Sequence, residues 1–257
     1  IGSTRLEGNL NQTQQGLLVG RIQLNSRDVS DVAALALVEA SGRIDGVVDL
    51  SANQGLQVLK ADLRGSSLRF DSYRLGALNL VGTVVDLFGQ PKIGATVKAQ
   101  SISAAGFDLI SLDGQMGTRG DTSTFNLQAA LKQYSAKLTT TGTLRHMQSA
   151  SRISLDRLEL NSSLAPIVLR QPTEFELRDG QLTIPGASLS IAAGELTVQG
   201  TAGPRMDIGI AMRGLPLKIV NAVRPETGAT GTVSGTVKIT GTSNDPQMQF
   251  ALDGKGV

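Results

Sequence analysis

One histidine, His146, stands in Leu144-Arg-His-Met147 at an expected strand end, and the chain has no cysteine. A lone imidazole without thiolates cannot complete a zinc site. As a general base it would need a nucleophile or an orienting carboxylate beside it. The expectation for His146 is a surface turn residue. Asp45, Asp49, Asp62, Asp86, Asp113, Asp156 and Glu159 could in principle supply the carboxylate pair of a glycosidase, but they mostly fall on the polar alternate positions of strands, where solvated side chains belong. Neither GxGxxG nor a Gly-Lys-Ser loop precedes a helix, so no phosphate cradle is expected. These residue types predict no catalytic group, no metal site and no cofactor; the chain is not expected to be an enzyme.

Composition points the same way. The 257 residues contain no Trp and 3% aromatics, so the 40% hydrophobic content rests on Ala, Val, Leu and Ile, which suit strand faces better than bulky cores. Thirty glycines supply turns. Lys and Arg number 24 against 22 Asp and Glu, for a net charge of +2, and they are scattered singly. No basic stripe for a phosphate backbone results, and nucleic acid is not an expected partner. The first residue is Ile1, and no stretch approaches the roughly 18 apolar residues of a membrane span, so the chain is expected to be a segment of something longer.

The elements that position these residues repeat. Gly82 to Val97, Gly194 to Ile210 and Gly235 to Leu252 each read as a strand, a turn rich in Gly or Pro, and a second strand, with apolar and polar residues alternating. The period-2 pattern predicts strands from Leu17 to Leu252, with breaks at Gly65, at Gly82 and at Pro185-Gly186. Short Gly, Asp, Asn and Ser separations predict antiparallel neighbours. Two segments depart from the alternation. Asp28 to Glu39 offers Asp28 or Ser30 as a cap and reads as a short helix, with a buried strand over Val29 to Val38 as the alternative; Leu215 to Val223, with Pro216 early and Pro225 as a stop, reads as a second short helix. Each precedes a Gly-x-[Ile/Val]-x-Gly strand, Gly42 to Leu50 and Gly231 to Ile239. The expected organisation is therefore one elongated segment, 1–257, with module boundaries near 28–41 and 214–230.

The candidate functional surface is the apolar face of these strands: Ile93, Ala95 and Val97; Phe125, Leu127, Ala129 and Leu131; Leu182 and Ile184; Leu189 and Ile191; Leu196 and Val198; Met206, Ile208, Ile210 and Met212; Val233, Val237 and Ile239; Met248, Phe250 and Leu252. Two short helices cannot cover about eighteen strands, a sheet of about 80 to 90 Å at the usual strand spacing. Two arrangements satisfy the pattern: a closed sandwich core, or a sheet bent into a trough whose stripe is partly open and able to hold acyl chains.

The run Gly231-Thr-Val-Ser-Gly-Thr-Val-Lys-Ile-Thr-Gly-Thr-Ser-Asn-Asp-Pro246-Gln-Met-Gln-Phe, preceded by Gly214-Leu-Pro-Leu-Lys-Ile-Val-Asn-Ala-Val-Arg-Pro225, resembles the translocation and assembly module TamB family of the AsmA-like superfamily. Gly82 to Val97 and Ser41 to Asn53 resemble its repeats, while 121–184 matches only in alternation. The resemblance implies an all-β fold, a long antiparallel, meandering sheet bent into a taco-like trough with a hydrophobic concave interior. It implies a periplasmic segment of a parent anchored in the inner membrane. It further implies phospholipid or other acyl chains as cargo between inner and outer membranes, an Omp85-type outer-membrane partner, and nascent outer-membrane proteins as possible clients of a scaffold or chaperone, the competing class. A structural β-solenoid or adhesin is a weaker alternative, since Tyr73 and Tyr134 are the only tyrosines. No catalytic residues come with the resemblance, whose functional surface is the inward apolar stripe.

Overall fold

The computed structural model describes residues 3–30, 33, 39–104, 107–147, 149–219, 228–243 and 245–256. The architecture is all-β and antiparallel throughout, with seventeen strands. The chain divides into two compact units, Ile1–Gln133 and Tyr134–Val257. The first holds β1 (Thr4–Gln12), β2 (Leu18–Ser26), β3 (Ala40–Asn53), β4 (Leu56–Phe70), β5 (Tyr73–Val85), β6 (Lys92–Ala104), β7 (Phe107–Arg119) and β8 (Thr122–Leu131). Each pairs with the next, β2 with β3 across residues 27–39 and the others across shorter turns.

The second unit holds β9 (Lys137–Met147), β10 (Ala150–Asn161), β11 (Ile167–Leu169), β12 (Thr173–Arg178), β13 (Gln181–Ile191), β14 (Gly194–Ala202), β15 (Arg205–Pro216), β16 (Thr232–Thr242) and β17 (Asp245–Lys255). β11 and β12 share one lane between β10 and β13. Pro172 lies in the gap between them, where a residue without an amide donor interrupts the ladder. From β13 to β17 the chain meanders.

Several expected breaks are bulges inside longer strands. β4 runs through Gly65, with Ser67 in the left-handed region at φ 52°; β13 runs through Pro185-Gly186, where the register against β14 shifts between Ile184 and Ala187. At Gly82 there is no bulge, and β5 continues to Val85 in unbroken register with β4 and β6. An extra residue resets which face the following side chains occupy, so the alternation slips by one while the strand continues. A Cβ on Gly65 would stand 2.6 Å from Leu68 Cδ1, which places Leu68 on the face of Gly65 despite the three-residue spacing.

The second expected helix is corrected. Leu215 and Pro216 prolong β15, opposite Val233 and Thr232 of β16, and Leu217–Ile219 is a single 3-10 turn. A bulge between Met212 and Leu215, with the Gly214 amide donating to Ser234 Oγ at 2.9 Å, keeps the strand attached beyond the point where Pro216 suggested a helix start. Residues 220–223 of that expectation lie outside the described residues. In the first segment Ser30 and Ala33 are helical, and the Ala33 amide donates to Val29 O at 2.9 Å. The other positions of that expectation from 31 to 38 lie outside the described residues. Among the described residues no helix is long and apolar enough to cross a membrane.

Little is sealed away. Among the described residues the buried apolar ones are five alanines (Ala99, Ala129, Ala136, Ala150, Ala165) with Val58, Leu169 and Ile191. The chain exposes 16110 Å², against roughly 10,800 Å² for a compact monomer of its 26.8 kDa mass. A closed sandwich would bury its large aliphatic side chains nearly completely, and these half-exposed faces do not.

Candidate functional site

Antiparallel pairing sets directly opposed residues on one face, so the register shows which side chains line up. In the first unit one row runs Leu6, Leu24, Gly46, Leu63, Leu80, Val97, Gly114 and Leu127, one residue from each of the eight strands. Two positions along, a second runs Gly8, Ile22, Val48, Ala61, Gly82, Ala95, Met116 and Phe125. A third contains Leu10, Leu50, Leu59, Val84 and Ile93; a fourth contains Ile44, Leu78, Ala99, Leu112 and Ala129. Leu131 stands opposite Leu109, beyond the register shift in β7.

The second unit repeats the arrangement. Leu169, Leu189, Leu196, Met212, Gly235 and Leu252 form one row; Ala187, Val198, Ile210, Val237 and Phe250 form the next; Ile184, Gly200, Ile208, Ile239 and Met248 form a third. Leu182 stands opposite Leu177 and Ala202, Ile191 opposite Ile167 and Gly194, Met206 opposite Gly241, and Val233 opposite Leu215. The candidate residues therefore fall into rows within each unit. Ile191 and Ala129 are buried; Met248, Phe250 and Leu252 are exposed at 65%, 74% and 49%; the others are half-buried.

The rows are not uniformly bulky. Glycines stand in them opposite large neighbours, and a Cβ on Gly114 would come within 2.8 Å of Val97 Cγ1. Small residues beside Met116 and Phe125 help shape a hollow of about 580 Å³, lined by the row Gly82, Ala95, Met116 and Phe125 and by the residues flanking each of these on its own strand.

The other face carries ion pairs. Arg21 donates two bonds to Asp49, at 2.6 and 3.0 Å, and these hold the Asp49 carboxyl below its ordinary range. Arg157 does the same for Glu159, also with two bonds. Lys98 faces Asp113 across the ladder, and Lys238 pairs with Asp207. Asp86 departs from its expected strand position: it sits in the β5–β6 turn at φ 64°, its carboxylate accepting from the Gln90 amide at 2.9 Å. Among the described residues no group of three or more His, Cys, Asp and Glu could hold a metal ion.

The β1–β5 and β7 members of the first-unit rows, such as Leu24, Leu63, Leu80 and Met116, are not among the candidates expected from the sequence. The alternation that marked Val97 and Leu127 marks these too. Gln57 is not among the candidates either; its side chain is almost wholly buried and bonds Leu18 through both its amide and its carbonyl. No pattern in the sequence distinguishes that glutamine from the solvated ones.

Compared with known proteins, no family model, no curated protein and no solved structure matches the chain.

Proposed function

We propose that the apolar rows form an acyl-chain-binding surface, and that this chain is a segment of a periplasmic protein that carries phospholipid between the inner and outer membranes. What supports this most is the half-exposed state of three adjacent rows across β13–β17, where Val198, Ile208, Ile210, Val237 and Ile239 lie side by side without being sealed. The TamB-like motif around Gly231 to Phe250 falls on these same strands.

A lipid tail crossing water costs about 0.8 kcal/mol for each exposed methylene, which makes unaided escape from a bilayer slow. A surface of Val, Leu, Ile and Met lowers that cost without directional bonds, so a bound chain can slide. Polar head groups remain in solvent, and the opposite face stays wet through its ion pairs.

Native mass spectrometry of the purified chain, with solvent extraction of its lipids, tests the proposal. Copurifying phospholipid that crosslinks to photoreactive residues at positions 208 and 237 supports it. A lipid-free protein that takes up no phospholipid from vesicles rules it out.

A further inference from the structure

We propose that the polar face of β5–β8 carries a binding site for a neutral oligosaccharide, centred over Gly94 and Gly117. The hollow of about 580 Å³ around Gly82, Ala95, Met116 and Phe125 opens on this face. Both polar rows beside those residues line it, Thr96, Gln115 and Asn126 on one side and Thr83 and Thr124 with the two glycines on the other. The next apolar rows, with Val97 and Leu127 or Val84 and Ile93, are absent from its lining, although a hollow on their own face would touch them. Its volume lies within the roughly 300–1,000 Å³ of small-molecule sites. Glycine inside a strand weakens it, and marks a bulge, a tight bend, or the close approach of another backbone or a ligand. Gly94 pairs with Thr83, and Gly117 with Thr124, in unbroken register, and neither glycine has a left-handed φ. A Cβ on Gly94 would meet nothing within 4 Å, and one on Gly117 only Thr124 Oγ1, at 4.0 Å. Beside them the strands part: the β6–β7 ladder stops at Ala95 and Met116, and the Ile93 amide and carbonyl both bond Thr118 Oγ1 instead, each at 2.9 Å.

The chemistry of the lining selects the ligand. No residue of it is charged, so an ionic ligand would give up water without meeting a counter-charge. An apolar ligand would leave the amides of Gln115 and Asn126 unpaired. Those amides and the threonine hydroxyls both donate and accept, as sugar hydroxyls do. Among the described residues the side chains of Thr96, Gln115 and Asn126 bond no other group of the chain, so these donors and acceptors are free for a ligand. Val81, 50% exposed in the same row, offers an apolar contact to the C–H face of a sugar ring. A smaller hollow of about 50 Å³ adjoins, sharing Thr96, Gln115 and Asn126 and ending at Lys98 and Asp113, whose charges offset one another. From Gly94 to Lys98 is four residues of strand, about 13 Å, which gives room for more than one ring. The site does not depend on the acyl-chain proposal, because it lies on the face opposite the apolar rows.

Titration calorimetry of the whole 257-residue protein with chitotetraose, cellotetraose and maltotetraose tests the site. At least one of these neutral tetrasaccharides should bind saturably, with a Kd of about 1 mM or tighter. Gly94→Thr fills the hollow with a residue that suits a strand, and should weaken that binding at least roughly tenfold. Gln115→Ala leaves the hollow open and removes only an amide, and should weaken it about tenfold as well. Ile208→Asp, on the apolar rows, should leave it unchanged, so that loss of sugar binding and loss of lipid binding are told apart. The absence of saturable binding by all three sugars overturns the proposal. So does binding that survives both Gly94→Thr and Gln115→Ala, or a preference for a sulfated heparin tetrasaccharide over the neutral ones. Circular dichroism of each variant confirms that lost binding is not a lost fold.

Discussion

The Val29 amide donates to the carbonyl of Gly42 at 2.8 Å, closing the excursion between β2 and β3. The Leu217 amide donates to the carbonyl of Gly231 at 2.9 Å, closing the excursion between β15 and β16 in the same way. In each case a strand leaves the ladder, and a left-handed glycine, φ 109° at Gly42 and 82° at Gly231, brings the chain back into it. The repeated Gly-x-[Ile/Val]-x-Gly pattern thus marks a re-entry point, a conformation that costs a glycine little and other residues more.

The first closure should depend on pH. The Asp28 carboxylate accepts from the Ser30 amide at 3.1 Å and the Gly42 amide at 3.2 Å, and the Ser30 bond is the main reason its pKa lies below the ordinary 3.8. A carboxyl lowered by folding stabilises the fold fully above its unfolded value, and that contribution is lost as pH falls through the folded value. Amide exchange at Ser30 and Gly42 should therefore rise as acid is added below about pH 4. Asp28→Ala should show the fast exchange at every pH; protection unchanged in that variant would contradict the assignment.

Gln57→Ala should cost about 1–3 kcal/mol, a large effect for a polar residue, because it strands the part-buried backbone groups that the side chain bonds. Its Nε2 donates to Leu18 O at 2.9 Å and Ser51 O at 3.0 Å, and its Oε1 accepts from Leu18 N at 2.8 Å. Urea denaturation gives the value, and a cost near that of an exposed glutamine would show that water replaces these bonds.

Two glycines predict opposite outcomes. Gly235 has φ 146°, and a Cβ there would stand 2.1 Å from Ala251 O, so Gly235→Ala should lose about 2 kcal/mol or more. Gly94 has nothing within 4 Å of its Cβ position, so Gly94→Ala should stay within about 0.5 kcal/mol of wild type. Melting both variants alongside wild type checks the pair.

Charges placed in the rows should separate binding from folding. Ile208→Asp and Val237→Arg lie on half-exposed positions where water relieves part of the burial cost. Each should lower stability by only about 1–2 kcal/mol while lipid crosslinking falls sharply. A spin label at Lys98 should tumble freely and one at Val97 should be restrained; the reverse would mean a register error of one residue. Cooperative unfolding of both charged variants would indicate a sealed core instead.

Much of the fold is legible in the alternation, because a sheet with one apolar face writes its period directly into the chain. The hairpins Gly194 to Ile210 and Gly235 to Leu252 show it; the first turns at Pro204, while Pro246 lies inside β17, opposite Gly241. Bulges are the exception. Ser67 and Pro185-Gly186 shift the period by one, which in one dimension looks like a strand end, while in three the ladder continues. β1 escaped notice because only Leu6 and Leu10 carry its apolar pattern; its Leu6 gains a row only from its pairing with Leu24. The rows themselves are a property of register, which couples residues far apart in sequence, and no local pattern shows that Leu6 and Leu127 end one line.

The large accessible surface has a calorimetric consequence. The unfolded chain would expose roughly 39,000 Å², so folding removes about 58% of it from water, close to the share for a domain of about 60 residues and below the roughly 72% of a compact chain of this mass. The heat-capacity change of unfolding scales with newly exposed surface and is about 3–4 kcal/mol/K for an ordinary protein of this length. Here it should be about a fifth smaller, giving a flatter stability curve whose cold and hot limits lie further apart.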